Sequence, residues 1–518
     1  MAEPAAPVLA PFMDLPDLAA ERVGGAVIWA NDEFFAEKEN LLKPQKAVFI
    51  EGKYTDRGKW MDGWETRRRR EPGHDVCIVR LGMPGVVRGV VVDTAFFRGN
   101  YPQACSIEAG AFPGQPTPDE LNAEGAAWTE ILPKVDLKGD TANVFAITHE
   151  GRFTHLRFHI YPDGGVARLR VHGEVVAAPR WLGKPGAEVD LAALENGAVV
   201  VRCNDMFFGS RNNLILAGPS THMGDGWETR RSRKTAPDWA IVELATEGEI
   251  QRLEVDTSHF KGNFPESCAV YGVRLARGAR FDEAGNADGA AWEPIVARTK
   301  LQAHTRHFYE EEILARGPYS HLRLEIFPDG GVARLRAWGA ASDRGREAVS
   351  LRALRLASPA ERQAMLRATC GATRWVERVL AELDGLSDLA SLSAAAERAF
   401  DALDRDDWVE AFRAHPRIGE KKAAVATGAR AASWAGGEQA KVDAASDAAK
   451  AELVTINQAY EARFGFLYIV CATGKTADEM IAIAKERMTH TPEQEIRVAS
   501  GEQRKITQLR LEKLALLR

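Results

Sequence analysis

The chain has 518 residues, of which 45% are hydrophobic and 27% are charged, and its formal net charge is −6 at pH 7. This composition excludes an intrinsically disordered protein and predicts roughly three domains at about 150 residues each. The slight excess of acidic residues argues against nucleic acid or an anionic membrane surface as the partner.

Signals for export or membrane insertion are missing from the sequence. Residues 1–16 lack the basic and apolar regions of a signal peptide, and no apolar run reaches the roughly 18 residues of a membrane helix. The six cysteines are scattered singly, without C-x-x-C pairs. We therefore expect a cytoplasmic protein with reduced thiols and no membrane partner.

A long internal repeat occupies the first part of the chain. The segment MDGWETRRRR at residues 61–70 recurs 163 positions later as GDGWETRRSR, and DTAFFRGNYPQAC at Asp93 recurs at the same offset as DTSHFKGNFPESC. Copies of about 160 residues are too long for solenoid units of roughly 20 to 50 residues. Each copy is therefore predicted to be a domain in its own right.

The first copy is longer than the second in one place. NDEFF at Asn31 and NDMFF at Asn204 are 173 positions apart, which is ten more than the offset of the segments that follow them. The extra residues lie around positions 43–59, where we predict a surface loop.

Apolar and polar residues alternate inside each copy, as in half-buried strands. In the first copy Leu156, Phe158 and Ile160 alternate with polar residues, PDGG follows at residues 162–165, and the alternation resumes at Ala167. This pattern predicts a β-hairpin. Because long helical periodicity is missing, we expect two tandem antiparallel, jelly-roll-like β-sandwich domains.

The duplicated DGWETRR segment has two open interpretations. One is structural: a glycine turn, a tryptophan that anchors the core, and Glu and Arg side chains that satisfy each other across strands. The other is functional: arginines bind a carboxylate while a glutamate acts as acid and base. The functional candidates are Glu65, Arg67 and Arg68 in the first copy and Glu228, Arg230 and Arg231 in the second.

A divalent metal is a further possibility for the β-domains. The candidate ligands are His155 with His159 and, at matching positions of the second copy, His321 with Glu325. Residues four apart in a strand are about 13 Å apart at roughly 3.3 Å per residue, whereas a zinc–nitrogen bond is about 2.1 Å. Neither pair can bind one ion unaided, so a metal site would need both repeats or distant segments, and the metal requirement stays unknown.

The motifs NDEFF-x4-NLL, MDGWETRRRR, DT-x-x-F-x-GN-x-P and FPDGG-x-ARLR together resemble allantoicase, over about residues 14–339. That family hydrolyses allantoate to ureidoglycolate and urea. The resemblance implies a tandem jelly-roll-like β-sandwich and a small-molecule substrate.

Allantoate carries one carboxylate and two ureido arms on a single carbon. A site for it needs cationic recognition, planar amide contacts and a proton donor for the departing urea nitrogen. The arginines of DGWETRR can provide the cationic recognition, and its glutamates can provide the proton donor. The amide contact is assigned to Asn100 and Asn263, and His155 and His321 are further candidates for substrate contact.

The last third of the chain has helical periodicity. Residues 340–350 are predicted to form a polar linker, and helix starts with capping boxes are predicted at Ser358, Thr476 and Thr491. One helical stripe comprises Trp375, Val376, Val379, Leu380 and Leu383. The predicted organisation is two β-domains, residues 1–187 and 188–345, followed by an all-α domain, residues 346–518.

Three segments of the helical part, HPRIGEK, G-x-EQ and FGF-x-x-x-VCA-x-GK, resemble the decarboxylases of 2-oxo-4-hydroxy-4-carboxy-5-ureidoimidazoline (OHCU). That family is helical and cofactor-free and forms (S)-allantoin. The resemblance implies His415 as the acid/base residue, Glu438 as its partner and Arg510 as the third catalytic position. It also implies a substrate lining of Pro416, Gln439, Tyr468, Ile469, Val470, Cys471 and Ala472.

Two alternatives to a bifunctional enzyme stay open. Family members commonly have a serine three residues before the Glu of the EQ motif, where this chain has Ala435, so the helical domain could be an inactive scaffold. The β-sandwiches could instead be a ligand- or carbohydrate-binding module. A homo-oligomer is possible, and no interface is indicated.

Overall fold

The computed structural model describes residues 10–177, 182–232, 236–287, 289–415 and 446–515. The chain forms two compact units, Met1–Ser342 and Asp343–Arg518. The first unit contains both sequence repeats and is built from antiparallel strands, whereas the second unit is helical.

The strands of the first repeat form one main sheet ladder and two short pairs. They are β1 (Ala26–Ala30), β2 (Tyr54–Thr55), β3 (Gly58–Lys59), β4 (Trp64–Glu65), β5 (Asp75–Asp93), β6 (Ala104–Gly110), β7 (Thr129–Asp136), β8 (Ala142–Ala146), β9 (Arg152–Tyr161), β10 (Gly165–Val166) and β11 (Arg168–Val175). A short helix, α1 (Pro118–Asn122), follows β6.

The second repeat follows the same order without a counterpart of the β2–β3 pair among its described residues. Its strands are β12 (Val189–Asp190), β13 (Val199–Cys203), β14 (Trp227–Glu228), β15 (Asp238–Asp256), β16 (Ser267–Val273), β17 (Glu293–Lys300), β18 (Arg306–Tyr309), β19 (Tyr319–Phe327), β20 (Gly331–Val332) and β21 (Arg334–Ala341).

One long strand joins the two layers of each sandwich. The first half of β5 pairs with β1 and β9, and its second half pairs with β8 and β11, with a register shift against β9 between Arg80 and Gly85. In the second repeat β15 has the same role. Leu156, Phe158 and Ile160 of β9 are fully buried, as the alternation predicts. The antiparallel β-sandwich class is therefore confirmed.

The predicted hairpin around the PDGG segment is wrong in its pairing. β9 and β11 are both strands, but each pairs with β5 and not with the other. Between them, Gly165 and Val166 pair with Glu65 and Trp64. Gly164 has a φ of 137°, which L side chains rarely adopt, and the turn carries the chain from one layer to the other.

The predicted surface loop of the first repeat is confirmed. Its residues are mostly exposed, and β2 and β3 form a small antiparallel pair within it. The second repeat has only a short connection in the same place.

The second unit is helical, as predicted. Its described helices are α2 (Asp343–Leu356), α3 (Pro359–Arg367), α4 (Thr373–Glu382), α5 (Leu389–Asp401), α6 (Arg405–Arg413), α7 (Asp447–Phe464), α8 (Ala477–Arg487) and α9 (Pro492–Ala515). Within the part of the chain that the structure describes, no helix is both long enough and apolar enough to cross a membrane.

The capping predictions are confirmed, and the linker prediction is wrong. The hydroxyls of Ser358, Thr476 and Thr491 each accept a backbone N–H of the following first turn. Residues 340–350 were predicted as a polar linker, but Ala340 and Ala341 end β21, and residues 343–350 belong to α2, whose good helix formers are anchored by the buried Leu351 and Leu354.

Two apolar clusters hold the helical unit together. One surrounds the fully buried Trp375 and includes the predicted stripe of α4. The other surrounds Phe412 and Tyr460 and includes residues 468–471, so this segment is fixed between helices by packing.

Candidate functional site

Four repeated motifs meet at one end of the first sandwich. The carbonyl of Glu65 in DGWETRR accepts the N–H of Ala36, which follows NDEFF, at 3.2 Å. Glu65 also pairs with Gly165 of the PDGG turn, whose N–H donates to the carbonyl of Asn100 at 2.7 Å. A side chain at Gly164 would clash with the same Asn100 carbonyl, so only glycine lets these loops approach. The motifs therefore build one loop cluster.

The same cluster is present in the second sandwich. The carbonyl of Glu228 accepts the N–H of Gly209, and Glu228 pairs with Gly331. The N–H of Gly331 donates to the carbonyl of Asn263 at 2.9 Å. The duplication thus extends from the sequence to the contacts.

A carboxylate and an amide side chain lie together in each cluster. Asn100 Nδ2 donates to Glu65 Oε1 at 2.7 Å, and Asn263 Nδ2 donates to Glu228 Oε1 at 2.5 Å. Both glutamates are half-buried. Burial raises the pKa of the Glu65 carboxyl, and the hydrogen bond from Asn100 opposes this rise. A carboxyl with a raised pKa is suited to donate a proton near neutral pH.

The tryptophan and aspartate of DGW are structural. Trp64 and Trp227 are fully buried, and their indole N–H groups donate to the carbonyls of Asp32 and Asp205 at 2.8 Å each. Asp62 forms a buried ion pair with Arg168 at 2.7 Å, and Asp225 pairs with Arg334 at 2.9 Å. The structural interpretation therefore holds for these groups, through partners that the sequence pattern does not identify.

The arginines that follow the glutamates lie at the exposed rim. Arg67 Nε contacts Asp32 Oδ2 at 3.0 Å, and Arg230 Nε contacts Asp205 Oδ2 at 3.2 Å, so the partner of each is an aspartate and not the neighbouring glutamate. Both guanidinium groups lie over phenylalanine rings of the NDxFF segments. Arg68 and Arg231 are also exposed. The cluster thus combines a half-buried carboxyl with several cations open to solvent.

The two candidate histidines lie away from this cluster. His155 precedes the end of β9 at Tyr161 by six residues, a separation of about 20 Å at roughly 3.3 Å per residue. His155 is buried and hydrogen-bonded to Thr154 Oγ1 at 2.8 Å. His321 is buried at the matching position, with Nε2 at 3.5 Å from Glu243 Oε2. The structure therefore places neither histidine beside Glu65 or Glu228.

The buried His155 is expected to make stability depend on pH. Burial lowers its pKa to about 4, and the charge of Arg80 acts in the same direction. The unfolded chain binds a proton near pH 6.5 and the folded chain does so only near pH 4, so stability is lost as the pH falls between these values. Between pH 7 and pH 5, wild type should lose about 2 kcal/mol more unfolding free energy than His155→Gln, measured by urea denaturation.

The control for this measurement is His149→Gln, which changes an exposed histidine of the same repeat. This variant should keep the wild-type pH dependence. Equal pH dependence in His155→Gln and wild type would contradict the prediction.

In the helical unit the structure describes some of the implied catalytic residues. His415 follows α6, and its backbone N–H donates to the Phe412 carbonyl at 3.1 Å. Arg510 lies on α9, which packs against α6, and its guanidinium is buried near the Ala368 carbonyl. Pro416, Ala435, Glu438 and Gln439 lie outside the described residues.

The implied substrate strip at residues 468–472 is held by side chains that sequence reasoning missed. Arg487 donates to the Ile469 carbonyl at 2.8 Å, Glu502 accepts the Cys471 N–H at 2.8 Å, and Lys475 Nζ donates to the Cys471 carbonyl at 2.6 Å. In the sequence, the GK dipeptide that ends the FGF-x-x-x-VCA-x-GK motif is the pattern that points to Lys475. These contacts fix the backbone of the strip.

A metal centre is not evident in the described ranges, where no group of three or more His, Cys, Asp or Glu side chains is arranged to hold an ion.

Comparison with known proteins finds relatives for both parts of the chain. A family model described as allantoicase repeat matches residues 16–176 and 189–342, and one described as OHCU decarboxylase matches residues 356–512. A probable allantoicase of Ralstonia nicotianae is 48% identical over 327 residues, covering 63% of this chain and 94% of that protein. The allantoicase of Dictyostelium discoideum is 48% identical over 322 residues, covering 62% and 85%. The crystal structure of allantoicase from Saccharomyces cerevisiae has a TM-score of 0.52 at 36% identity, covering 62% of this chain and 92% of that chain.

Proposed function

The chain belongs to the allantoicase family and continues into an OHCU decarboxylase domain, and we infer that one polypeptide carries two activities of purine and ureide catabolism. The β-unit hydrolyses allantoate to ureidoglycolate and urea, and the helical unit converts OHCU to (S)-allantoin. A ligand-binding role for the β-unit is not better supported, because the allantoicase model matches both repeats. The two steps are not adjacent, since another enzyme must open allantoin to allantoate, so direct channelling does not follow.

The observation that carries the site assignment is the glutamate–asparagine pair repeated in the two loop clusters. In this proposal the carboxyl of Glu65, or that of Glu228 in the second cluster, acts as the general acid and protonates the nitrogen of the departing urea as the carbon–nitrogen bond breaks. The carboxylate then takes a proton from the water whose oxygen bonds to the central carbon. The raised pKa of Glu65 supports the first step, because it favours the protonated form.

Substrate binding is assigned to the groups around each glutamate. Asn100 and Asn263 provide a planar amide that pairs with a ureido arm. The exposed guanidinium groups of Arg67, Arg68, Arg230 and Arg231 attract and bind the substrate carboxylate. Asp32 and Asp205 fix the direction of one arginine in each cluster.

For the helical unit we assign proton transfer to His415 with Glu438, and anion binding to Arg510. Loss of carbon dioxide leaves electron density that the ring imine of the substrate absorbs, so the protein needs to hold the anion and deliver one proton to one face. We therefore propose that this step needs no cofactor.

The test uses the full-length chain dialysed against EDTA. With OHCU, formation of (S)-allantoin above the spontaneous rate is expected and is followed by circular dichroism. With allantoate, urea release is expected and is measured with and without added divalent ions. If allantoate stays intact under all ion conditions, the β-unit assignment is wrong. If (S)-allantoin forms only at the spontaneous rate, the helical unit is a scaffold.

A further inference from the structure

The insertion loop of the first repeat, defined here as residues 43–61, contacts both sides of the Glu65 cluster. Arg57 donates to the carbonyl of Phe34 at 3.1 Å and places its guanidinium over the Phe34 ring. Phe49 stacks on Phe96 with ring centroids 5.8 Å apart. Phe34 belongs to NDEFF, and Phe96 belongs to the loop that carries Asn100. The loop therefore bridges the two segments that flank Glu65.

The insertion loop is held by hydrogen bonds to the sandwich at its base and by contacts within the loop further out. At its base, Arg168 Nε donates to the backbone carbonyl of Gln45 at 2.9 Å, and the N–H of Val48 donates to Asp62 Oδ2 at 2.9 Å. Further out, Lys53 lies over the Trp60 ring and Lys59 lies over the Phe49 ring. These cation–π contacts hold two positive groups against rings of the loop that bridges the Glu65 cluster.

The second repeat replaces the insertion loop with residues 216–224, LAGPSTHMG. This short loop keeps the contact at the base, because Arg334 Nε donates to the Gly218 carbonyl at 3.1 Å. Phe207, which corresponds to Phe34, is 62% exposed, whereas Phe34 is 39% exposed. The Phe207 side of the Glu228 cluster is therefore more open than the Phe34 side of the Glu65 cluster, whereas Asn263 is half-buried against Met223 of the short loop and Asn100 is exposed.

The two loops also differ in charge. The insertion loop contains Lys43, Lys46, Lys53, Arg57 and Lys59 against two acidic residues, whereas residues 216–224 contain no Lys, Arg, Asp or Glu. Cations at the mouth of a partly enclosed cleft raise the local concentration of an anionic ligand and strengthen its binding. An insertion with this charge suits a small organic acid.

We propose that the insertion loop encloses the Glu65 site over a ureide carboxylate, so that the two sites of one chain bind allantoate with different affinities. The first site, which has the basic insertion loop beside it, is the tighter one, and the Glu228 site is the weaker one. Arg57 and Phe49 act as positioning residues that hold the loop across the cluster. This inference rests on the proposed function of the glutamate–asparagine pairs.

The test separates the two sites by substitution in the full-length chain. Glu228→Gln leaves the first site active, and Glu65→Gln leaves the second. The KM for allantoate, from urea release, should be about tenfold lower in Glu228→Gln than in Glu65→Gln. Replacing residues 43–61 by LAGPSTHMG in the Glu228→Gln chain should raise KM about tenfold and change kcat less. The same replacement in the Glu65→Gln chain should leave its KM unchanged.

A milder variant guards against misfolding of the replaced loop. Phe49→Ser combined with Arg57→Ala removes both bridging contacts from exposed positions and should raise KM in the Glu228→Gln background at an unchanged thermal midpoint. Equal KM values in the two single-site chains, or a KM that neither loop variant moves, would overturn this inference while leaving the site assignment intact. If neither glutamine substitution changes urea release, the site assignment itself fails, and this inference fails with it.

Discussion

Replacing Glu65 and Glu228 together by glutamine is expected to lower urea release from allantoate by about 10²- to 10⁴-fold, the usual contribution of a general acid–base group. Glutamine keeps the size and the hydrogen bond to Asn100 or Asn263, but it cannot donate a proton to the leaving nitrogen. Each single substitution should leave one working site and therefore part of the activity. The measurement is the initial rate of urea release at saturating allantoate.

The same polypeptide provides an internal control, because OHCU decarboxylation should be unchanged in the double variant. Glu249→Gln is the matched control for the substitution itself, since it changes an exposed glutamate of β15 and should keep the wild-type rate of urea release. A double variant that hydrolyses allantoate at the wild-type rate would remove the glutamates from the reaction.

The class of each unit could be predicted from local sequence patterns. Alternation at Leu156, Phe158 and Ile160 indicates a strand with one buried face, and that face is buried. The capping boxes at Ser358 and Thr476 fix helix starts, because the hydroxyl and the backbone N–H it accepts are three residues apart. These signals depend on neighbours in sequence, so no tertiary information is needed to interpret them.

Pairings between distant segments could not be predicted in the same way. The PDGG turn has the composition of a hairpin turn, yet β9 and β11 both pair with β5, which lies far from them in sequence. Glu65 lies two positions before Arg67, but the partner of Arg67 is Asp32, 35 positions away. The tertiary fold selects such partners, and the spacing of residues along the chain does not reveal them.

The sequence indicates candidate members of the site but not the distances between them. Glu65 and Asn100 were proposed from chemistry that allantoate requires, and the structure places them in contact at 2.7 Å. His155 was proposed on the same chemical grounds, but it lies buried at the other end of β9. Alternation assigns a residue to a face of a strand, whereas its distance from a loop cluster depends on where the strand ends.

Replacing His415 by alanine is expected to lower OHCU turnover by about 10²- to 10⁴-fold, because the variant has no imidazole to deliver the proton to the ureido-bearing carbon, next to the one that loses carbon dioxide. The measurement is the rate of (S)-allantoin formation from fresh OHCU by circular dichroism, after subtraction of the spontaneous reaction. Urea release from allantoate should be unchanged, since it is assigned to the other unit.

His490→Gln is the matched control in the helical unit. His490 contacts Glu495 Oε2 at 2.7 Å, beside the buried pair of Glu495 and Arg487, so its loss should affect stability more than turnover. A His415→Ala variant with the wild-type rate would exclude His415 as the proton donor. If the variant is slow and releases racemic allantoin, His415 acts at the step that selects the face of protonation. An unassisted proton reaches both faces of the ureido-bearing carbon.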